Sequence, residues 1–372
     1  MQFIDVVGQS ELKKHLIHEV QSKKVSHAQM FSGRPGFGAL PLALAFVQYL
    51  FCDNPTPDDS CGSCPSCRKV TDLQHPDLHF SFPVVQAINK KSDHFLPEWR
   101  KQINENPYFN LYTWTQCIDS KERKPIIGTE ESQEIIRKLS LKSFEGGYKV
   151  MLIWMAEAMN KDCSNKLLKI LEEPPPKTLF ILVVDQQETV LPTIQSRTQQ
   201  IVIPKVDAVE LSQYVKTKFS PGTERLDSIL SRATGDVIVA SELAVEEHEE
   251  HNYQSAFIQM MRVCYKKDVI AMLDWAEELS LFGKEYQKGF ISYALHMFRQ
   301  SILRNYTDNQ LTNVSDDEAA FLVNFSRFIT GNNISDFSST FNDAHYHLDR
   351  NANAKIVLTD LCFKVMRYIH FA

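Results

Sequence analysis

Two stretches of the chain are apolar almost without interruption and too short for most helices. Lys149–Trp154 reads KVMLIW and Thr178–Val184 reads TLFILVV. Runs of that length without polar alternation predict strands covered on both faces, as in a parallel sheet. Residues 28–31 form a third, shorter strand candidate, which enters the glycine-rich turn 32–38 and then an apolar helix over 42–51. Residues 11–24 place Leu12, Leu16 and Val20 on successive turns, with His15 and Glu19 beside them, and predict an amphipathic helix. Helical spacing recurs over 130–139 and 160–172, and Pro174, Pro175 and Pro176 stop the second helix because proline cannot continue it. A short helix over 188–195 and a strand over 199–203 complete the alternation. Strands alternating with helices argue for a parallel sheet with helices on both faces.

The pattern changes twice. Residues 77–125 carry Pro83, Pro97, Pro107 and Pro125 and are expected to be irregular, with an insertion at about 84–124 that has some short structure of its own. Beyond Pro204 the periodicity is helical throughout, and the acidic stretch 246–250 divides that half into a small piece and a larger one. The expected layout is therefore an α/β domain over 1–205, a small helical domain over 206–245 and an all-α domain over 246–372. No internal repeat is visible.

Composition adds limits. At 372 residues, 43% hydrophobic and 23% charged, the chain is an ordinary globular protein of two or three domains. Its net charge of −6 excludes coating nucleic acid by bulk charge. Lys161, Lys166 and Lys169 on one predicted helix read as a solvated surface, with a few phosphate contacts as the alternative. The start, MQFIDVVGQS, lacks a secretory pattern, and no apolar run reaches the roughly 20 residues of a membrane span. A cytoplasmic protein without a membrane partner is expected.

In that setting eight cysteines should be reduced. Four of them, Cys52, Cys61, Cys64 and Cys67, crowd one segment. Two CxxC steps offer four soft ligands to one tetrahedral ion, so structural zinc is expected, with no open position for a substrate. An iron–sulfur cluster and free thiols are the alternatives. His75 is a possible competitor as ligand, but a local hydrogen bond near Pro76 suits it better.

The glycine turn is a phosphate loop without its chemistry. Gly33, Gly36 and Gly38 have the loop's glycines, but Ala39 and Leu40 stand where a working loop has lysine and a hydroxyl. Residues 149–153 are followed by Trp154 and Met155 rather than the carboxylates that hold magnesium and water, and Glu157 lies further on. Two losses in one inferred site predict no hydrolysis. A turn that only joins strand to helix is the first reading, and residual nucleotide binding the second.

Several segments together resemble the clamp-loader subunits of bacterial DNA polymerase III, members of the AAA+ family. Residues 165–175 (NKLLKILEEPP) are similar to their LLKxLEEPP segment, 27–33 (HAQMFSG) to HAYLFxG, and 191–198 (LPTIQSRT) to LLPTIxSRC. With the four cysteines, the likeness covers about residues 1–245. It implies a RecA-like AAA+ domain with a zinc module at 52–67, a helical lid, and a helical collar that joins a five-membered ring. It also implies partners: gamma/tau-type and delta-type subunits, the sliding clamp, and primed DNA reached through the complex. Ile238, in the lid segment where active members carry a sensor arginine, is a third loss at the ATP site. The chain thus looks like an inactive branch of the family rather than an active gamma/tau-like ATPase. A zinc-containing nucleic-acid-binding module acting alone is a more distant rival.

The resemblance gives Arg197 and Ser196 a role. From position alone, Arg197 would pair with a nearby carboxylate. Inside the SRC-like motif it is expected to reach a neighbouring subunit's ATP as an arginine finger, with Ser196 beside it, because a guanidinium donates in a planar fork. Thr198 replaces the motif's cysteine at little expected cost.

Overall fold

The computed structural model describes residues 1–121, 123–245, 250–307, 314, 316–350 and 352–370. The chain forms two compact units, Met1–Lys218 with Ala233–Ser241, and Phe219–Arg232 with Glu242–Ala372. In chain order the first contains α1 (Ser10–Gln21), β1 (Ala28–Ser32), α2 (Ala39–Phe51), α3 (Pro65–Thr71), β2 (Leu78–Ser81), α4 (Leu96–Glu105), α5 (Leu111–Ile118) and α6 (Thr129–Ser140). It continues with β3 (Lys149–Trp154), α7 (Lys161–Glu172), β4 (Thr178–Val184), α8 (Pro192–Gln195), β5 (Gln199–Val202) and α9 (Ala208–Phe219).

The five strands form one parallel sheet in the order β2-β3-β4-β1-β5. This is the expected α/β architecture. Every residue of β3 and β4 is buried. Their side chains alternate between two cores, because successive residues of a strand point to opposite faces. Val150, Leu152 and Trp154 join the core with α1, α2, α4 and α5, while Met151 and Ile153 join the core with α6 and α7. The buried Lys149 ammonium donates to the carbonyls of Leu139 and Leu141, closing the end of α6.

Two expectations need correction. The segment 77–125 is not wholly irregular: β2 pairs with β3 in the main sheet. It escapes a periodicity reading because it is four residues long, holds His79, and lies between Pro76 and Pro83. The short structure expected within the insertion is the pair of helices α4 and α5. Finally, the helix expected over 188–195 is a 3-10 turn at Gln187–Thr189 followed by α8, because Val190 and Leu191 are extended ahead of Pro192.

The described residues after Val202 contain no strand, as expected. α10 (Thr223–Ala233) lies almost wholly in the second unit and α11 (Val237–Val245) is divided between the two; the second unit continues with α12 (Glu250–Lys266), α13 (Val269–Ser280), α14 (Lys284–Tyr306), α15 (Asp316–Phe325), α16 (Ile334–Asp349) and α17 (Ala354–His370). They pack around Phe257, Phe298, Phe341 and Leu361. Most of the acidic stretch expected to divide this half, 246–249, lies outside the described residues. No described helix is long and apolar enough to cross a membrane.

Candidate functional site

The glycine loop has the expected strand-loop-helix setting. β1 passes into Gly33, whose N–H donates to the Val184 carbonyl at 3.0 Å. A Cβ on Gly33 would stand 2.7 Å from the Ile203 carbonyl oxygen, so the close approach requires glycine. Pro35–Phe37 makes a 3-10 turn, and Gly38, at φ +91°, turns the chain into α2. Ala39 and Leu40 open that helix and are buried in the apolar core, with no charge to offer a phosphate.

The chain's own side chains press on this loop. A Cβ on Gly36 would fall 1.7 Å from Asp236 Oδ1. That carboxylate caps α11, accepting from the N–H groups of Ile238 at 2.9 Å and Val239 at 3.1 Å, and burial raises its pKa. The Tyr108 ring would stand 3.3 Å from a Cβ on Gly38, and its hydroxyl accepts from the Val7 N–H at 2.8 Å. Gln9 Nε2 donates to the carbonyls of Phe37 at 3.0 Å and Pro204 at 2.7 Å.

Strand β3 ends on Trp154, only 3% exposed, followed by Met155 at φ +55°. Glu157 follows in a 3-10 turn and accepts from the Asp185 N–H at 2.7 Å. Asp185, just beyond β4, is pushed up to about 8 by burial and then by the neighbouring carboxylates Glu157 and Asp236. Burial likewise raises Glu157. Sequence reasoning passed over Asp185. Its signal was a carboxylate at the carboxyl end of a buried strand, where parallel sheets bind ligands.

Arg197 lies at the opposite end of the strands. It precedes β5, just as His27 precedes β1, so both stand at the amino ends of parallel strands. The glycine loop leaves the carboxyl end of β1. The five residues of β1 therefore separate the two sites, about 16 Å at the usual rise per residue. Arg197 Nε donates to Glu172 Oε1 at 2.7 Å, and its Nη2 donates to the same oxygen. Its Nη1 donates to the Thr193 carbonyl at 2.7 Å and to Ser196 Oγ at 3.2 Å. Glu172, Ser196 and Arg197, with His27, Leu171 and Thr198, line an open cavity of about 600 Å³, and the Arg197 side chain is 31% exposed. Glu172, the carboxylate partner that position alone anticipated, comes from the end of α7. The Thr198 hydroxyl donates back to the carbonyls of Ile194 and Gln195, both at 3.2 Å. Lys161, Lys166 and Lys169 are exposed on α7, whose buried face carries Cys163, Leu167 and Leu171.

The four clustered cysteines come together. Cys52 ends α2, Cys64 caps α3 and Cys67 lies in its first turn, while Gly62, at φ +69°, makes the turn between. All four Sγ atoms lie within 4.8 Å of one another, and Cys61 and Cys67 are 4.0 Å apart. A tetrahedral ion with bonds of about 2.3 Å needs sulfurs about 3.8 Å apart, so the set fits a metal. Backbone N–H groups already point at the sulfurs: Cys61 to Cys52 at 3.2 Å, Cys64 to Cys61 at 3.4 Å and Cys67 to Cys64 at 3.4 Å. The Ser63 and Cys64 amides hold the Cys61 thiol down at about 6, which favours the ligating thiolate. His75 stays out of the set. It accepts from the Asp77 N–H at 3.2 Å, lies 3.1 Å from Glu145 Oε2 and stacks on Phe51.

A family model described as "DNA polymerase III, delta subunit" matches residues 8–207, more than half the chain. The chain is 28% identical over 279 residues to DNA polymerase III subunit delta' of Bacillus subtilis (strain 168), covering 74% of this chain and 71% of that protein. It is 21% identical over 359 residues to the subunit delta' of Escherichia coli (strain K12), covering 95% and 93%. It is also 27% identical over 204 residues to the subunit tau of Bacillus subtilis, covering 55% of this chain and 29% of that protein.

Proposed function

The chain belongs to the DNA polymerase III delta-subunit family of clamp-loader proteins, and from that premise we propose that it is a delta-prime-type stator that hydrolyses no ATP itself and lends Arg197 to a neighbouring subunit. In this reading it sits in a five-membered ring with gamma/tau-type and delta-type subunits. The ring opens the sliding clamp and places it on primed DNA in the cytoplasm.

The observation that carries the proposal is the position of Arg197. It stands at the amino ends of the strands, away from the glycine loop at their carboxyl ends, so it is poorly placed to serve a nucleotide on its own chain. A surface at the amino ends of the strands can instead face another subunit. Phosphoryl transfer spreads negative charge over the transferred group, and a guanidinium supplied in trans stabilises it. In GTPases such a finger is worth about 10³–10⁵ in turnover. Glu172 gives Arg197 a holding partner before assembly. Opening an exposed pair of this kind costs about 0–1 kcal/mol, so the arginine can leave it for a phosphate.

Ala39, Leu40, Trp154 and Ile238 support the absence of hydrolysis. The layout proposed is an AAA+ domain over 1–205, a lid over 206–245 and a collar over 246–372. Cys52, Cys61, Cys64 and Cys67 would hold one structural zinc, whose role is to tie the end of α2 to the start of α3. DNA contacts are expected to be shared around the ring, with Lys161, Lys166 and Lys169 as contributors on this chain. The test is Arg197→Ala in the reconstituted loader, read as DNA-stimulated ATP turnover beside an assembly assay. Lost turnover with intact assembly fits the proposal.

A further inference from the structure

Loss of hydrolysis leaves nucleotide binding open, because backbone amides at a helix start still attract phosphate without a lysine. We infer that the insertion fills the chain's own nucleotide site, with Tyr108 and Phe109 in the place a nucleotide would take.

Parallel α/β sheets bind ligands outside the carboxyl ends of their strands, with phosphates at the start of the following helix. Here that place lies between Gly36–Gly38, the end of β3 at Trp154, and Asp185 after β4. The residues joining α4 to α5 enter it. Tyr108 covers Gly38 and is 5% exposed, and its hydroxyl takes the Val7 N–H, tying the N-terminal segment to the loop. The next residue, Phe109, lies with its ring centre 4.9 Å from that of Trp154, at the strand end where an active enzyme would present carboxylates. Trp154 also meets Trp99 of α4 at 5.3 Å, and Trp99 meets Trp114 of α5 at 5.2 Å. The Trp114 indole donates to the Pro83 carbonyl at 2.8 Å, anchoring the wedge where it leaves the sheet.

This segment is built into the core rather than laid over it. Trp99, Trp114, Tyr108 and Phe109 are all buried. The Tyr108 N–H is held by Asn106 Oδ1 at 3.0 Å, and the Asn106 N–H by the Gln102 carbonyl at 2.9 Å. The remaining wall is acidic: Asp236 packs on Gly36, with Asp185 and Glu157 near it. A polyphosphate would have to displace buried rings and then meet carboxylates. The insertion thus takes over a nucleotide's structural task of joining the N-terminal segment, loop and sheet.

Two measurements on the full chain test this. The first restores the loop chemistry with Ala39→Lys and Leu40→Thr and titrates wild type and variant with a fluorescent ADP analogue and magnesium. With the wedge in place, neither should bind up to about 1 mM; saturable binding by either at about 100 μM or tighter overturns the inference. The second needs no change to the helix. Tyr108→Phe keeps the ring and removes the acceptor, so amide exchange at Val7 should quicken by about three- to tenfold. Unchanged exchange at Val7 means that the wedge is not seated and also overturns it. Both readouts use the isolated chain and are independent of Arg197, so they can fail while the finger assignment stands.

Discussion

The acidic pocket beside the glycine loop makes a signed prediction for stability against pH. Asp185 is pushed up to about 8 from an ordinary carboxylate value of 3.8, first by burial and then by Glu157 and Asp236. Between those values the folded chain keeps a proton that the unfolded chain releases. Stability therefore falls as pH rises through this window and levels off above about 8. The full shift would correspond to roughly 6 kcal/mol at about 1.4 kcal/mol per pH unit. Asp185 is partly exposed and its acidic neighbours titrate with it, so about 2 kcal/mol is the expected size. Asp185→Asn mimics the protonated side chain. It should match wild type near pH 3, below the unfolded carboxylate value, and exceed it near pH 8.5, moving the urea midpoint up by about 1 M. Tryptophan fluorescence reports this well, because Trp99, Trp114 and Trp154 all lie in the first unit. An Asn variant whose midpoint differs from wild type equally at both pH values, or is lower at pH 8.5, would refute the reasoning.

Two further outcomes follow from the same geometry. Purified chain should carry one zinc, measured by elemental analysis. Cys64→Ser should lose it and melt earlier, while Cys117→Ser, outside the cluster, should keep it. Gly36→Ala should destabilise the first unit by about 1–3 kcal/mol, because the methyl meets the Asp236 carboxylate; Asp236→Ala in the same chain should recover part of that loss, a coupling that thermal melts of the double-mutant cycle measure.

What was legible in the sequence was whatever has a local cause. β3 and β4 match their predicted ends because burial on both faces leaves a run of apolar residues. The cysteine cluster was legible because its ligands lie within one short segment and its turn geometry is set by nearby residues. β2 was not, since a four-residue edge strand between prolines has no period to read. The wedge left no trace either. Tyr108 meets Gly38 and Val7 only after the sheet has formed, and neither residue type advertises the meeting. Arg197 was found through its motif, but its hold on Glu172 spans 25 residues and depends on where α7 ends. Asp236 gives no local signal either, since its seat on Gly36 is a tertiary contact between the loop after β1 and the start of α11.

The central claim is that Arg197 works on a neighbour's nucleotide. Its most direct test is rapid-quench ATP hydrolysis by the reconstituted loader on primed DNA, comparing wild type with Arg197→Ala at equal assembly. The account predicts that the site served by this subunit slows by about 10³-fold or more, so that the burst loses one ATP per complex. An undiminished burst from a fully assembled Arg197→Ala loader would contradict it.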